Sequence, residues 1–197
     1  LFEYIKTLFP NAESKICVDT APVLERSLGR RAGLGWIGKN TMLINPEIGS
    51  YFYIGELFLN IELKTDSPIK DYCGTCNRCI KSCPTNAILE PFILDSNLCI
   101  SYHTIESKDD EIDNNINTAN NLFGCDICQD VCPWNKKFSK FSNLNEVQPR
   151  SFLSNIKNII IDLTQEKFSE LFRKSAVKRA KFKGLIRNYN HIKKDSS

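Results

Sequence analysis

The stretch Cys73-Gly-Thr-Cys76-Asn-Arg-Cys79-Ile-Lys-Ser-Cys83-Pro84 decides the reading of this chain. It is answered by Cys125-Asp-Ile-Cys128-Gln-Asp-Val-Cys132-Pro133, with Cys99 between the two. The first run has the C-x₂-C-x₂-C-x₃-C-P spacing of a bacterial ferredoxin. Two-residue gaps let three thiolates converge from one loop onto three irons of a [4Fe–4S] cube. The fourth Cys of such a run points away and ligates the other cluster. That rule assigns Cys73, Cys76, Cys79 and Cys132 to cluster one, and Cys83, Cys99, Cys125 and Cys128 to cluster two. That fourth Cys is expected at the start of a helix, and the proline after it, Pro84, suits a first helical position, where a missing N–H costs nothing. Zinc is the rival, but structural zinc prefers two separated C-x₂-C pairs or Cys/His sets. Disulfides are the other, and this spacing suits a shared inorganic core better than pairwise bridges.

At 197 residues the chain has room for one or two domains. Its 42% hydrophobic and 25% charged residues are ordinary for a soluble globular protein. No apolar run approaches the length of a membrane span, and no secretory signal opens the chain. Nine cysteines without such a signal indicate a reducing compartment and metal binding. A cytoplasmic monomer with no membrane association is expected. The first residue is Leu1, and Leu1-Phe-Glu-Tyr-Ile-Lys-Thr-Leu-Phe reads like a helix already under way, so a fragment is expected.

Outward from the cysteines, residues 1–60 read as part of an α/β layer. Ile16-Cys-Val is a short strand ending at Asp19, and Thr20 is a candidate cap for a helix with Pro22 in its first turn. Asp19 has two readings, a proton donor held protonated by burial or a helix cap, and residue type alone favours the cap. Cys17 is expected in the core. Gly33-x-Gly35-x-x-Gly38 matches the dinucleotide fingerprint, yet the order here is helix, glycines, strand, the reverse of what that motif needs. The glycines serve either close approach to a large flat ligand or a plain loop. Thr41–Ile44 and Tyr51–Leu59 read as two strands of a hairpin. Residues 60–72 are a polar boundary. Pro84–Leu89 reads as a short helix, 92–95 as a short strand, and 106–121 as a weak helix or, preferably, a solvated insert.

Residues 149–197 read as a helical appendix, with Phe168, Leu171 and Phe172 on one face. Between Leu171 and Lys194 lie nine Lys or Arg and no Asp or Glu. One-sign clustering of this kind is a footprint for phosphate backbones, against the plainer reading of a solvated basic helix.

Taken together, Asp19-Thr-Ala-Pro-Val-Leu-Glu-Arg, Gly33-Leu-Gly-Trp-Ile-Gly-Lys-Asn-Thr, Cys99-Ile-Ser-Tyr-His-Thr-Ile-Glu, Phe123-Gly-Cys-Asp-Ile-Cys-Gln-Asp-Val-Cys-Pro-Trp and Ser175-Ala-Val-Lys-Arg-Ala-Lys-Phe-Lys-Gly-Leu-Ile-Arg-Asn resemble the epoxyqueuosine reductases. The resemblance implies two [4Fe–4S] clusters beside a cobalamin, and reduction of the epoxide of epoxyqueuosine to queuosine at the wobble position of tRNA. It implies Asp19 as proton donor. It implies a cobalamin site of Asp19, the Asn40–Leu43 stretch, Ile54, Ser101, Gly124 and Cys125. It implies anticodon stem-loop contacts from the tail, assigned to Lys178, Arg179, Lys181 and Lys183, and an external donor of flavodoxin or ferredoxin type. The family has roughly another α/β half before Asp19, and usually a basic residue where this chain has Asn121.

The expected architecture is α+β: residues 1–62 as the end of an α/β cobalamin-binding domain, 63–148 as a ferredoxin-like two-cluster module, and 149–197 as a basic helical tail. The alternatives are a non-catalytic two-cluster electron carrier, an RNA-binding protein with structural clusters, and a corrinoid reductive dehalogenase.

Overall fold

The computed structural model describes residues 1–19 and 21–195. Helices are mixed with strands that pair antiparallel, in three two-stranded sheets among the described residues. The leading residues form α1 (Phe2–Leu8), and β1 (Ser14–Cys17) carries Cys17 into the interior. The next helix, α2 (Glu25–Arg31), begins later than expected. Its N-cap is Leu24, with no side-chain bond, so Pro22 precedes the helix and Asp19 caps nothing. Thr20, the other expected cap, lies outside the described residues.

The hairpin expected between residues 41–44 and 51–59 does not form. β2 (Trp36–Ile37) pairs with β3 (Leu43–Ile44), while β4 (Glu56–Leu59) returns to β1, with Cys17 opposite Glu56. The glycines explain the change of partner. A Cβ at Gly35 would lie 2.3 Å from the Ile44 carbonyl oxygen, and one at Gly38 2.5 Å from Ile44 Cδ1. Only bare backbone lets β2 and β3 close this tightly. The glycine-rich stretch is therefore a strand partner in its own right, and its order of helix, glycines, strand is as expected.

In the cysteine-bearing segment, the one-turn helices α3 (Arg78–Ser82) and α4 (Ile127–Asp130) pack together. Cys132 is the N-cap of α5 (Pro133–Phe138), with Pro133 in its first turn. Cys83 behaves differently. It ends α3 in extended geometry, the conformation a following proline imposes, and Pro84–Leu89 is not a helix. A turn with Asn86 in the left-handed region leads instead into β5 (Ile88–Glu90), which pairs with β6 (Ile93–Leu94).

Toward the C-terminus come α6 (Ile156–Ile159), α7 (Gln165–Leu171) and α8 (Lys181–Asp195). Thr164 Oγ1 accepts from the Lys167 amide at 3.3 Å and caps α7. Phe168 and Phe172 are buried on one face and join Ile160, Leu163 and Leu185 in a core. The inner face of α8 is polar. Arg187 is buried, and its guanidinium donates to the carbonyls of His103, Ser107 and Asp109. Asn188 Nδ2 donates to the carbonyls of Thr104 at 2.8 Å and Leu122 at 3.0 Å, and His191 Nε2 hydrogen-bonds the Ile116 carbonyl at 2.8 Å. Residues 106–121 are thus no solvated insert: Ile112, Ile116 and Thr118 are buried. Their carbonyls need donors away from water, and α8 supplies them.

Replacing Arg187 with Ala strands three carbonyls. A loss of about 2–4 kcal/mol is expected in denaturant titrations, with faster amide exchange confined first to residues 107–118.

Candidate metal centre

A cavity of about 180 Å³ is lined by the thiols of Cys73, Cys76, Cys79 and Cys132, with Tyr72, Trp134, Lys39 and Arg78 among its other walls. The loop bearing the first three is shaped locally. Asp71 Oδ1 accepts from the Cys73 amide at 2.6 Å, the Cys76 amide closes a turn onto the Cys73 carbonyl at 3.0 Å, and Gly74 takes φ 51°. Lys39, in the β2–β3 turn, clamps that loop by donating to the carbonyls of Gly74 and Cys76 at 2.6 and 2.8 Å. Trp36 on β2 points Nε1–H at Cys73 Sγ, 3.5 Å away, and meets Trp134 and Tyr72 edge-on. The hairpin built on Gly35 and Gly38 is therefore a wall of the cavity.

The remaining four cluster-candidate cysteines form a second group. Burial pushes the Cys128 thiol up to about 12, with Cys125, Cys79, Cys99 and Cys83 adding to it. Burial raises Cys125 too, helped by Cys99 and Cys83, and burial is also the leading cause of the upward shifts at Cys73 and Cys79. The influence of Cys79 on Cys128 means that the two groups adjoin. The Ala87 amide donates to Cys83 Sγ at 3.2 Å. Thiols buried together hold their protons, and thiolates persist in such a place only around a positively charged core. No three or more His, Cys, Asp or Glu among the described residues are placed to hold a single metal ion. Four thiols spaced around a cavity suit a polynuclear core better than tetrahedral zinc.

Two polar hubs hold the groups in register. Buried Asn135 accepts from the Ser50 amide at 2.6 Å and donates to Ser50 Oγ and the Gln129 carbonyl, both at 2.9 Å, tying α4 and α5 to the turn after β3. Thr104 lies in a wide helical turn, Tyr102–Glu106, that follows Cys99. Its Oγ1 donates to the Ile100 carbonyl and accepts from the Gly124 amide at 3.0 Å, joining the Cys99 segment to Cys125.

The other predicted site residues divide. Ser101, Gly124 and Cys125 come together: Ser101 Oγ donates to the Cys125 carbonyl at 3.3 Å, and Gly124 takes φ 72°. Ile54 is half-buried in the irregular residues 51–55 that lead into β4. Asn40 and Leu43 are buried with their side chains spent inside, Asn40 Nδ2 on the Cys128 carbonyl and Leu43 against Gly29. Asp19 is exposed at φ 51°, and its carboxylate pairs with Arg179 Nη1 at 3.1 Å, while Arg179 Nε binds Glu106 at 2.8 Å. Glu106 and then Asp19 strengthen the Arg179 charge. Lys178 and Lys181 are exposed, and Lys183 pairs with exposed Asp110 at 2.5 Å. Sequence reasoning missed Trp36, Lys39, Thr104, Asn135 and Asn188 as site-forming residues. Trp36 and Lys39 stood inside the quoted glycine-rich segment, but nothing local marks the others.

Residues 72–135 match the family described as 4Fe-4S double cluster binding domain. Nearly the whole chain also has named relatives. They are epoxyqueuosine reductases. The Leadbetterella byssophila epoxyqueuosine reductase is 48% identical over 98% of this chain, which spans 63% of that protein. Among solved structures, the Bacillus subtilis epoxyqueuosine reductase, caught with its aspartate catalytic loop swung out of the active site, is 31% identical over 96% of this chain at a TM-score of 0.85. An epoxyqueuosine reductase with an epoxyqueuosine-modified tRNA-Tyr stem loop is 32% identical over the same share, also at 0.85. The chain spans about half of each of these solved chains. The α+β arrangement described above is thus similar to that of part of these solved epoxyqueuosine reductases.

Gly49 sits at φ 77°, and a Cβ there would fall 2.2 Å from Asn135 Oδ1. Gly49→Ala is expected to cost about 2–3 kcal/mol through strain and the displaced Asn135. Denaturant midpoints check this.

Proposed function

We propose that this chain is the cluster-bearing part of an enzyme that reduces epoxyqueuosine to queuosine in tRNA, as the names of its relatives indicate. The observation that carries the reading is the convergence of two four-thiol groups, with Asp19 reaching the Cys99–Glu106 segment through Arg179. A carrier of electrons alone accounts for the thiols and leaves that long-range contact without a purpose. The division into 1–62, 63–148 and 149–197 accords with the match over residues 72–135 falling inside the middle part. The proposed setting is the cytoplasm, and no helix among the described residues is long and apolar enough to cross a membrane.

Cys73, Cys76, Cys79 and Cys132 would hold one [4Fe–4S] cluster, and Cys83, Cys99, Cys125 and Cys128 the other. The cavity among the first four thiols and the mutual shifts of the second four fit such groups. For cobalamin, Ser101, Gly124 and Cys125 would offer a wall beside the second group, Ile54 would add an apolar contact, and Asn40 and Leu43 would offer backbone only. These cofactors would supply reducing electrons and low-valent cobalt. Conversion of an epoxide to an alkene and water takes up two electrons and two protons.

The chain's own share is proton delivery and substrate grip. Asp19 Oδ is the proposed proton source. A neutral carboxyl is the donating form and a carboxylate is the form that pairs with Arg179, so Asp19 must leave Arg179 to act. Lys178, Arg179, Lys181 and Lys183 would meet phosphates of the anticodon stem-loop, each contact steepening the salt dependence of binding. An external donor of flavodoxin or ferredoxin type would supply electrons, and the enzyme would act as a monomer.

Asp19→Asn in the cluster- and cobalamin-loaded protein should retain both cluster spectra and lose turnover by at least about a hundredfold. Undiminished turnover would remove Asp19 from the chemistry. Cys132→Ala should disturb one cluster in electron paramagnetic resonance and leave the group of Cys83, Cys99, Cys125 and Cys128 loaded. Loss of that second signal instead would reverse the ligand assignment.

A further inference from the structure

The cavity among Cys73, Cys76, Cys79 and Cys132 is walled in part by Lys39 and Arg78, and no carboxylate is among its lining residues. Beyond its edge the same sign continues. Lys70 lies over the Tyr72 ring at 5.1 Å, and Lys137 over Phe138 at 5.0 Å, with Phe138 stacked on Trp134. Lys136 and Lys137 are exposed on the last turn of α5, and Lys81 is exposed on the last turn of α3. The nearest acid in sequence, Asp71, has an oxygen engaged by the Cys73 amide. Cations are thus clustered on the elements that carry a cavity lined by aromatic rings and thiols, with Asp71 the acid beside it.

The geometry points to this face as the docking site of an acidic one-electron carrier protein that reduces the cluster held by Cys73, Cys76, Cys79 and Cys132. The inference rests on the cluster assignment proposed above and adds the entry face and the charge of the donor. Opposite charge steers the encounter and orients the two redox centres. A nucleic acid would also meet the cations, but the basic residues already proposed for tRNA, Lys178, Arg179, Lys181 and Lys183, lie on other elements than Lys81, Lys136 and Lys137. The transfer is balanced by one electron: the donor is oxidised by one, the cluster goes from its 2+ to its 1+ state, and no bond or proton changes hands.

The test follows cluster bleaching by stopped-flow absorbance in the cluster-loaded protein, with reduced flavodoxin as the protein donor and dithionite as the small one. Lys136 and Lys137 line neither the thiol cavity nor the proposed substrate site, so they are the residues to change. Lys136→Glu/Lys137→Glu should slow reduction by flavodoxin about tenfold or more and flatten its salt dependence. Dithionite bleaching should stay within about twofold, and the Gln/Gln double variant should fall between. An unchanged flavodoxin rate with normal dithionite bleaching would overturn the docking face alone. Absence of dithionite bleaching in the unsubstituted protein would overturn the cluster reading and the docking face with it. Loss of tRNA stem-loop affinity in the Glu/Glu variant, with no change in the flavodoxin rate, would make the face a nucleic-acid surface and also overturn the inference.

Discussion

Four cysteines drawn from two distant runs can line one cavity only if something holds the runs against each other, and here that something is the close approach of two backbones. Gly35 and Gly38 let β2 lie against Ile44 with no room for a Cβ. From that hairpin Trp36 reaches the Cys73 sulfur and packs on Trp134, two residues beyond Cys132. Lys39 ties the turn of the hairpin to the Cys73–Cys76 loop. Buried thiols repel as thiolates and contribute little packing area as thiols, so the cavity's shape comes from neighbours that are not ligands. Structural and chemical roles are separated: aromatic rings and carbonyl bonds set positions, and sulfur is left free for chemistry.

A second clamp works from the other end of the chain. The 106–121 loop carries many polar backbone groups under α8, where water does not satisfy them all. Arg187 and His191 take that load at the carbonyls of Ser107, Asp109 and Ile116, and Asn188 holds the two flanks of the loop. Asn188 at once reaches Thr104 and Leu122, and Thr104 reaches Gly124. The segments bearing Cys99 and Cys125 are thereby linked through one buried polar chain, in which each member is satisfied only while the others stay in place. The C-terminal helix is part of what positions the second thiol group.

Legibility followed physical range. The double-cluster segment was visible because two-residue gaps between cysteines restrict geometry by themselves. The Phe168/Phe172 face was visible because helical period is local. The failures were non-local. Of the strand expected at 41–44 only Leu43–Ile44 forms, and its partner was set by how closely glycine backbone could approach Ile44, which spacing does not reveal. The helix expected after Pro84 lost to Asn86, whose left-handed conformation turns the chain into β5. Residues 106–121 looked solvated because their acidic and Asn-rich surface is all that composition records, while the carbonyls beneath, of Ser107, Asp109 and Ile116, found donors far along the chain on α8. Arg187 was counted with the basic tail for the same reason: charge is legible in a sequence and burial of that charge is not.

The same distinction bears on Arg179. It belongs by sequence to a run of cations suited to phosphate, yet in the folded chain its guanidinium is shared between Asp19 and Glu106. Both pairs are substantially exposed, so neither is worth much as stability and both are open to exchange. A phosphate offered to Arg179 competes for the donors that hold Asp19, and Glu106 can keep one edge of the guanidinium while the other turns. If the tail grips RNA as proposed, substrate binding and release of the Asp19 carboxyl become one event, because a single guanidinium serves both. Such coupling needs no large motion. It needs the proposed proton-donating carboxyl to sit outside any helix, and Asp19, ahead of α2 at φ 51° with its amide held by Glu25 Oε1, does so.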